Sequence, residues 1–222
     1  KPLYQRSLIV AAGPIANFIL AVFIFLFIYM FVGKDFTPAA IDKVQKDSPA
    51  YISGFKKNDI ILEIEGSKVR SILDVSKLIT MSTSEIIDFK VLRYDQEILL
   101  KVKPNIAESV DNLGNKIKKR MIGIQLSPYK NKINHVKLGP AKALFYSLNE
   151  VYFVTVSSLK YLGSMIVGKG DTSQLGGPIR IAKITGQVAE IGIIPFLSIM
   201  AYISISLGLI NLFPIPLLDG GH

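Results

Sequence analysis

The sequence predicts an α-helical membrane protein with an α+β domain inserted between its membrane segments. Two charge-free apolar stretches, one near each end, are long enough to cross a bilayer as helices. The region between them carries almost all the charge and breaks into short runs in which apolar and polar residues alternate. Half of the 222 residues are hydrophobic and the mean hydropathy is +0.39, which argues against a plain cytosolic domain.

The first apolar stretch runs from Leu8 to Val32 without a charge. At about 1.5 Å per residue, its roughly 25 residues exceed the ~30 Å hydrocarbon layer. Lys1 and Arg6 precede it, Tyr4 and Tyr29 sit near its ends, and Lys34 and Asp35 follow, so its start is expected on the cytoplasmic side. It is far longer than the apolar core of a signal peptide. Gly13, Pro14 and Asn17 interrupt its beginning, which by itself reads as close helix packing.

Between Ala39 and Pro128, runs such as Ile60-Ile61-Leu62-Glu63-Ile64-Glu65 and Phe89-Lys90-Val91-Leu92-Arg93-Tyr94 have the period of strands. Val75 to Met81 fits a short helix, and Asp95-Gln96 fits a tight hairpin turn. The polar stretch Glu108 to Arg120, with Asn112 and Gly114-Asn115, is expected to be a flexible loop before a last strand, Met121 to Leu126.

From Leu138 to Gly168 the chain is moderately apolar but broken by Asn149, Glu150 and Lys160. That pattern fits an amphipathic helix lying on the bilayer or packed on the membrane helices, with a third full crossing as the rival reading. The second charge-free span runs from Ile193 to Leu212. With two crossings both chain ends fall on one side. All Lys and Arg except Lys1 and Arg6 then lie in the intervening segment, whose length frees it from the positive-inside rule.

Several chemistries are excluded by composition. Without cysteine there is no disulfide, thiolate metal site or thiol nucleophile. The net charge of +9 is spread among acids instead of forming one tract, and no nucleic-acid module accompanies it, so no nucleic-acid partner is expected. No Gly-x-Ser-x-Gly string supports a serine nucleophile.

The most informative string closes the second span: Asn211-Leu-Phe-Pro214-Ile-Pro216-Leu-Leu-Asp219-Gly220-Gly221-His222. A carboxylate at membrane depth is costly, so Asp219 is a functional candidate with a cation as its natural stabiliser; alternatively it ends a helix at headgroup level. Pro214 and Pro216 break the helix there, and irregular backbone at that depth requires surrounding protein or a water-filled cavity.

This string resembles the second signature of the site-2 protease family of intramembrane zinc metalloproteases, and is most similar to the bacterial regulator-of-sigma-E protease group. Two further strings fit the family in the right order: Ala12-Gly13-Pro14-Ile15-Ala16-Asn17-Phe18 and Gly176-Gly177-Pro178-Ile179-Arg180-Ile181-Ala182. The middle region resembles a bacterial PDZ domain through Ser48-Pro49-Ala50-Tyr51-Ile52-Ser53-Gly54-Phe55-Lys56-Lys57-Asn58-Asp59-Ile60-Ile61. It departs from that pattern at Asn58, where glycine is customary, although Asn tolerates the left-handed backbone such a turn needs.

The resemblance implies an α-helical membrane protein with an inserted α+β PDZ-like domain, divided as follows. Residues 1–33 would form a transmembrane helix, the family's second, 39–128 the PDZ-like domain, 129–192 an amphipathic or membrane-associated helical connector, and 193–222 a further transmembrane helix, the family's third, ending in the signature. It also implies a zinc metalloendopeptidase that cleaves single-span membrane proteins within their transmembrane segments. Asp219 would be a Zn2+ ligand. Asn211, Pro214 and Pro216 would hold unwound substrate, with Gly13, Pro14, Asn17, Gly220 and Gly221 shaping the neighbourhood. Helix–helix hydrogen bonding is the other reading of Asn211.

The family's other ligands belong to a His-Glu-x-x-His motif. His135 and His222 are the only histidines and neither lies in one, so no catalytic residue is assigned here and the chain is read as an internal piece of a longer enzyme. The PDZ-like domain would either receive a peptide or substrate segment by strand addition or act as a steric gate. The expected setting is the bacterial inner membrane, multi-pass, with that domain on the periplasmic side. The alternative from another class is a non-catalytic PDZ-bearing membrane scaffold without the zinc site.

Overall fold

The computed structural model describes residues 3–110, 116–167 and 178–212. In chain order the elements are helix α1 (Leu3–Phe27), a single π-helical turn (Ile28–Val32), β1 (Lys34–Asp35), β2 (Ala39–Val44) and α2 (Pro49–Ile52). Then come β3 (Ile60–Ile64), β4 (Ser67–Lys68), α3 (Ile72–Met81), β5 (Ile87–Arg93), β6 (Gln96–Val102), β7 (Asn105–Val110), β8 (Lys116–Met121) and β9 (Ile124–Pro128). A 3-10 turn (Tyr129–Asn131), β10 (His135–Val136), α4 (Pro140–Ile166), α5 (Pro178–Ile191) and α6 (Ile193–Leu212) complete the described chain.

The contacts divide it into two units, Lys1–Lys34 with Lys137–Leu159 and Leu175–His222, and Asp35–Val136 with Lys160–Gln174. The first is mainly helical among its described residues, whereas the second is built on sheet. The molecule thus combines apolar helices with a substantial sheet, as expected of an α+β domain inserted between helical segments.

In the sheet unit the order is β6-β5-β3-β2-β9, with β4 on β3, and the pairings within it are antiparallel. Strand periodicity explains its core. Along β5, Ile87, Phe89 and Val91 are fully buried while Asp88 and Lys90 between them are not. Ile41, Ile61 and Ile64 extend the same layer, α3 covers it with Val75 and Ile79, and Phe55 meets Phe89 edge-on at 5.3 Å.

Turn chemistry sets the connections. The β5–β6 hairpin pairs Arg93 with Gln96, so its turn residues are Tyr94 and Asp95, both at positive φ, one place earlier than Asp95-Gln96. Asn58 adopts φ 70°, the left-handed conformation anticipated for it. Helix α3 starts earlier than Val75, because Ser71 and Asp74 close a reciprocal capping box.

The stretch expected to be a loop from Glu108 to Arg120 instead supplies parts of two paired strands, β7 and β8, registered from Asn105 opposite Met121 to Val110 opposite Lys116. These polar strands form a small two-stranded sheet of their own, and residues 111–115 between them lie outside the described residues. The last expected strand is split, since the chain bends at Ile122-Gly123 between β8 and β9.

In the helical unit, α1 with its π turn and α6 are each long and apolar enough to cross a membrane, over Ala12–Val32 and Ile193–Leu212. The helix continues through Pro14, whose missing amide leaves the carbonyl one turn earlier without its usual partner. Helix α4 buries Ala143, Ser147, Val151 and Val154 along one face.

Candidate functional site

Two places gather functional candidates, one in each unit. In the helical unit it is the seam between α1 and α6. These helices run antiparallel: Pro14 and Phe18 lie against Gly208, Asn17 against Ser204, and Phe25 against Tyr202.

Small residues let the two backbones approach, because packing without a hydrophobic driving force depends on close fit. The Ser204 hydroxyl donates to the Asn17 carbonyl at 2.8 Å. A Cβ on Gly208 would come within 3.1 Å of the Phe18 ring and 3.2 Å of the Pro14 carbonyl oxygen. Ala21, Ala201 and Ile205 are fully buried in the unit. Beyond the small residues, Phe25 meets the Tyr202 ring at 5.4 Å, and the Tyr202 hydroxyl donates to Glu150 of α4 at 3.0 Å.

The seam therefore joins the sequence around Gly13, Pro14 and Asn17 to the turn of α6 just before Asn211. Pro14 is buried, Asn17 and Asn211 are half-buried and Gly13 is exposed. Pro214, Pro216, Asp219, Gly220 and Gly221 lie outside the described residues, as does His222. His135 is exposed, in β10 of the sheet unit. Among the described residues no three His, Asp or Glu side chains come together as a metal-binding group. They do not by themselves form a zinc centre, and Asp219 is the one residue of this chain proposed for that role.

Ser204 and Gly208 were not singled out from sequence. Their spacing of four is the small-xxx-small pattern of tightly packed membrane helices, and it was the available signal.

In the sheet unit a groove runs between α3 and β9, lined by Val75, Ser76 and Ile79 on the helix side and by Ile124, Gln125 and Leu126 on the strand side. Among the described strands β9 ends the sheet and pairs with β2 alone, so its other edge is a template for a further strand.

One end of the groove is the Ile122-Gly123 bend. The Ile122 carbonyl accepts the Ala50 amide at 2.8 Å, and the Gly123 carbonyl accepts the Gln45 amide at 2.9 Å. Gly123 has φ +81°, and a Cβ there would stand 2.3 Å from Ser48 Cβ, so glycine is required twice over.

Lys119 and Arg120 line the same end. The Arg120 guanidinium donates to the Ser82 and Ser84 carbonyls just past the end of α3, while the Ser82 hydroxyl donates to Glu65 at 3.0 Å. Burial lowers the Arg120 pKa from its ordinary value, and the Glu65 carboxylate opposes that effect. Arg120 thus ties β8 to the end of α3 and fixes the width of the groove. Sequence reasoning anticipated strand addition but named none of these residues.

Comparison with known proteins adds identity to geometry. A profile described as Peptidase family M50 matches residues 1–222. A protein of Agrobacterium fabrum named as a zinc metalloprotease is 35% identical over 220 residues, covering 99% of this chain and 58% of that protein. One of Rhizobium meliloti with the same kind of name is 36% identical, covering 99% and 59%. Metalloprotease MmpA of Caulobacter vibrioides is 30% identical over 236 residues, covering 100% and 58%. The chain thus spans less than two thirds of the length of these curated relatives. Among solved structures, the PDZ domain of an SdrC-like protein of Listeria monocytogenes is similar, with TM-score 0.32 and 21% identity, over 40% of this chain and 87% of that one.

Proposed function

This chain belongs to peptidase family M50, and from that premise we propose that it forms part of a membrane-embedded zinc metalloprotease that cleaves peptide bonds within transmembrane segments of other membrane proteins. The α+β unit acts in this reading as a PDZ-like domain that gates or selects substrate. The setting is a bacterial inner membrane, crossed by α1 and α6, with the sheet unit on the extracytoplasmic side.

The observation that carries the proposal is the α1–α6 seam. The motif holding Pro14 and Asn17 packs there against Gly208 and Ser204, in the turns of α6 that lead, nearly the whole chain away, to Asn211. Packing alone accounts for small residues, but it does not require a helix-breaking, acid-bearing segment to follow at the same end.

Within this reading Asp219 would be one of the residues holding zinc, and the others would be the histidines of a His-Glu-x-x-His motif outside this sequence. When bound, zinc lowers the pKa of a coordinated water to about 7 and polarises a peptide carbonyl. The residues of this chain prepare the substrate. A helical segment hides its peptide bonds, so it must be unwound and its freed polar groups paired. The Asn211 amide pairs one of them, and Pro214 and Pro216 keep the adjacent main chain from closing into helix. The groove of the sheet unit takes an extended segment against β9, apolar side chains meeting Val75 and Ile79.

The test is made in the full-length protein. Asp219→Ala is expected to abolish cleavage of a single-span model substrate and to lower bound zinc sharply by elemental analysis. Undiminished turnover with normal zinc would remove Asp219 from the metal site.

A further inference from the structure

From Tyr129 to Asn149 the chain carries Lys130, Lys132, Lys137 and Lys142 and no carboxylate. Two of these lysines, Lys137 and Lys142, belong to the helical unit, and the fold brings them to the end of α1.

The apolar span closes in the π-helical turn, where the Gly33 amide donates to the Ile28 carbonyl at 2.9 Å, and Lys34 is the first charge after it. The Leu138 amide donates to the Tyr29 carbonyl at 3.0 Å, which seats Lys137 beside that last turn. The Lys34 ammonium lies 4.9 Å from the centre of the Tyr29 ring and 5.9 Å from that of Tyr146. Lys142 precedes Tyr146 by one turn on the same face of α4.

The Lys34 ammonium and two phenols therefore meet at the end of α1, with Lys137 next to the Leu138–Tyr29 hydrogen bond and Lys142 one turn before Tyr146. Among the described residues none of the three lysines has an ion pair. The acids closest to them along the sequence make other bonds: Asp35 accepts the Thr37 amide and hydroxyl, and Glu150 accepts the Tyr202 hydroxyl.

The other half of the observation is the outer side of α4. Leu144, Leu148, Tyr152 and Leu159 recur at helical spacing and are all exposed, on a different face from the buried Ala143, Ser147, Val151 and Val154. Lys142 and Asn149 share a third, polar face. An open apolar stripe that begins beside a lysine and tyrosine rim, at the level where a membrane span ends, is complementary to one surface. Its stripe matches acyl chains and its rim matches phosphate headgroups.

We propose that Lys34, Lys137 and Lys142, backed by Tyr29 and Tyr146, form a binding site for the phosphate headgroup of an anionic phospholipid, and that the open face of α4 lies along the acyl chains beneath it. The site rests on the reading that α1 crosses the bilayer. It anchors the first turns of α4 to the membrane surface through charge, where apolar contact alone would let the helix slide or lift.

Full-length protein is reconstituted in nanodiscs of phosphatidylglycerol and phosphatidylcholine, and retained lipid is counted by native mass spectrometry after detergent exchange. Retention of phosphatidylglycerol over phosphatidylcholine is expected. The combined Lys34→Gln, Lys137→Gln and Lys142→Gln variant should weaken that retention on the order of a hundredfold, since each lysine near an anionic surface contributes about fivefold. Displacement by millimolar inorganic phosphate would mark a free-anion site and overturn the lipid assignment.

Nitroxide labels at Phe23→Cys and Leu148→Cys, with any cysteine elsewhere in the full-length protein replaced by serine, separate the two levels of the proposal. Both should be accessible to oxygen and shielded from a polar nickel complex. A lipid-exposed label at position 23 with a water-exposed label at 148 overturns the α4 site and leaves the crossing intact. A label at 148 shielded from both reagents means that protein covers the face, which also overturns it. A water-exposed label at 23 removes the membrane crossing itself, and the site with it.

Discussion

Asp59 has no exposed surface, and its carboxylate is fully engaged. Oδ1 accepts Arg93 Nε at 2.7 Å, and Oδ2 accepts both the second arm of the guanidinium at 2.7 Å and the Lys56 amide at 2.8 Å. The hydrogen bonds to Asp59 raise the Arg93 pKa above its ordinary value, against the opposing effect of burial. Removing one partner strands the other, so Asp59→Ala should cost about 3–5 kcal/mol. For a unit of roughly 100 residues that lowers the thermal midpoint by on the order of 12 °C or more. Replacing Asp59 and Arg93 together by leucine should cost less, because no buried charge is left unpaired. A melt in which the double replacement is the worse of the two would contradict this account. Asn211 belongs to the same scale. In the full-length enzyme Asn211→Ala should retain zinc and lose turnover, and loss of metal instead would argue that it supports the metal site and not the substrate. Asn58 was legible in sequence, since few residues besides glycine accept its φ of 70°. Arg120 was not, because its partners are main-chain carbonyls that no side-chain pattern reveals.

Among the elements, the α1–α6 pair depends on one position more than any other. Gly208 faces the Pro14 carbonyl, and backbone cannot step aside as the tip of a flexible side chain can. Gly208→Val should therefore force the helices apart at a cost of about 1–3 kcal/mol, visible as a lower unfolding temperature in detergent, with Gly208→Ala milder. Equal stability for valine and glycine would mean that the helices do not pack there. Both apolar spans were legible because a run of charge-free residues needs no partner to be recognised. The β7–β8 hairpin was not. Its strands are polar and join no large buried face, so their sequence resembles a loop until pairing supplies the reason for being extended. Helix α3 lay between these cases: its apolar period was visible, but the Ser71–Asp74 box that extends its start had to be looked for.

At the scale of the molecule, a groove in the sheet unit and the proteolytic site proposed for the helical unit predict separable defects. Ser76 is exposed on the groove side of α3, and Ser76→Trp should fill the groove without touching the core. The full-length variant is expected to lose binding of an extended peptide at least tenfold, and to change which membrane substrates are cut. Its zinc content should stay unchanged. Identical substrate choice with the groove blocked would reduce the sheet unit to a spacer. Sequence by itself determined the apolar spans, the strand periods, the left-handed turn at Asn58 and the family likeness, because hydropathy, period and backbone permission are local properties. Only tertiary structure decided that Pro14 and Asn17 face Ser204 and Gly208, that β9 is the end strand of its sheet among the described strands, and that Lys34 comes to Tyr29 and Tyr146 where Leu138 bonds the end of α1. Those are pairings between distant residues, and which face meets which is fixed by shape and by the satisfaction of main-chain hydrogen bonds, neither of which a local window contains.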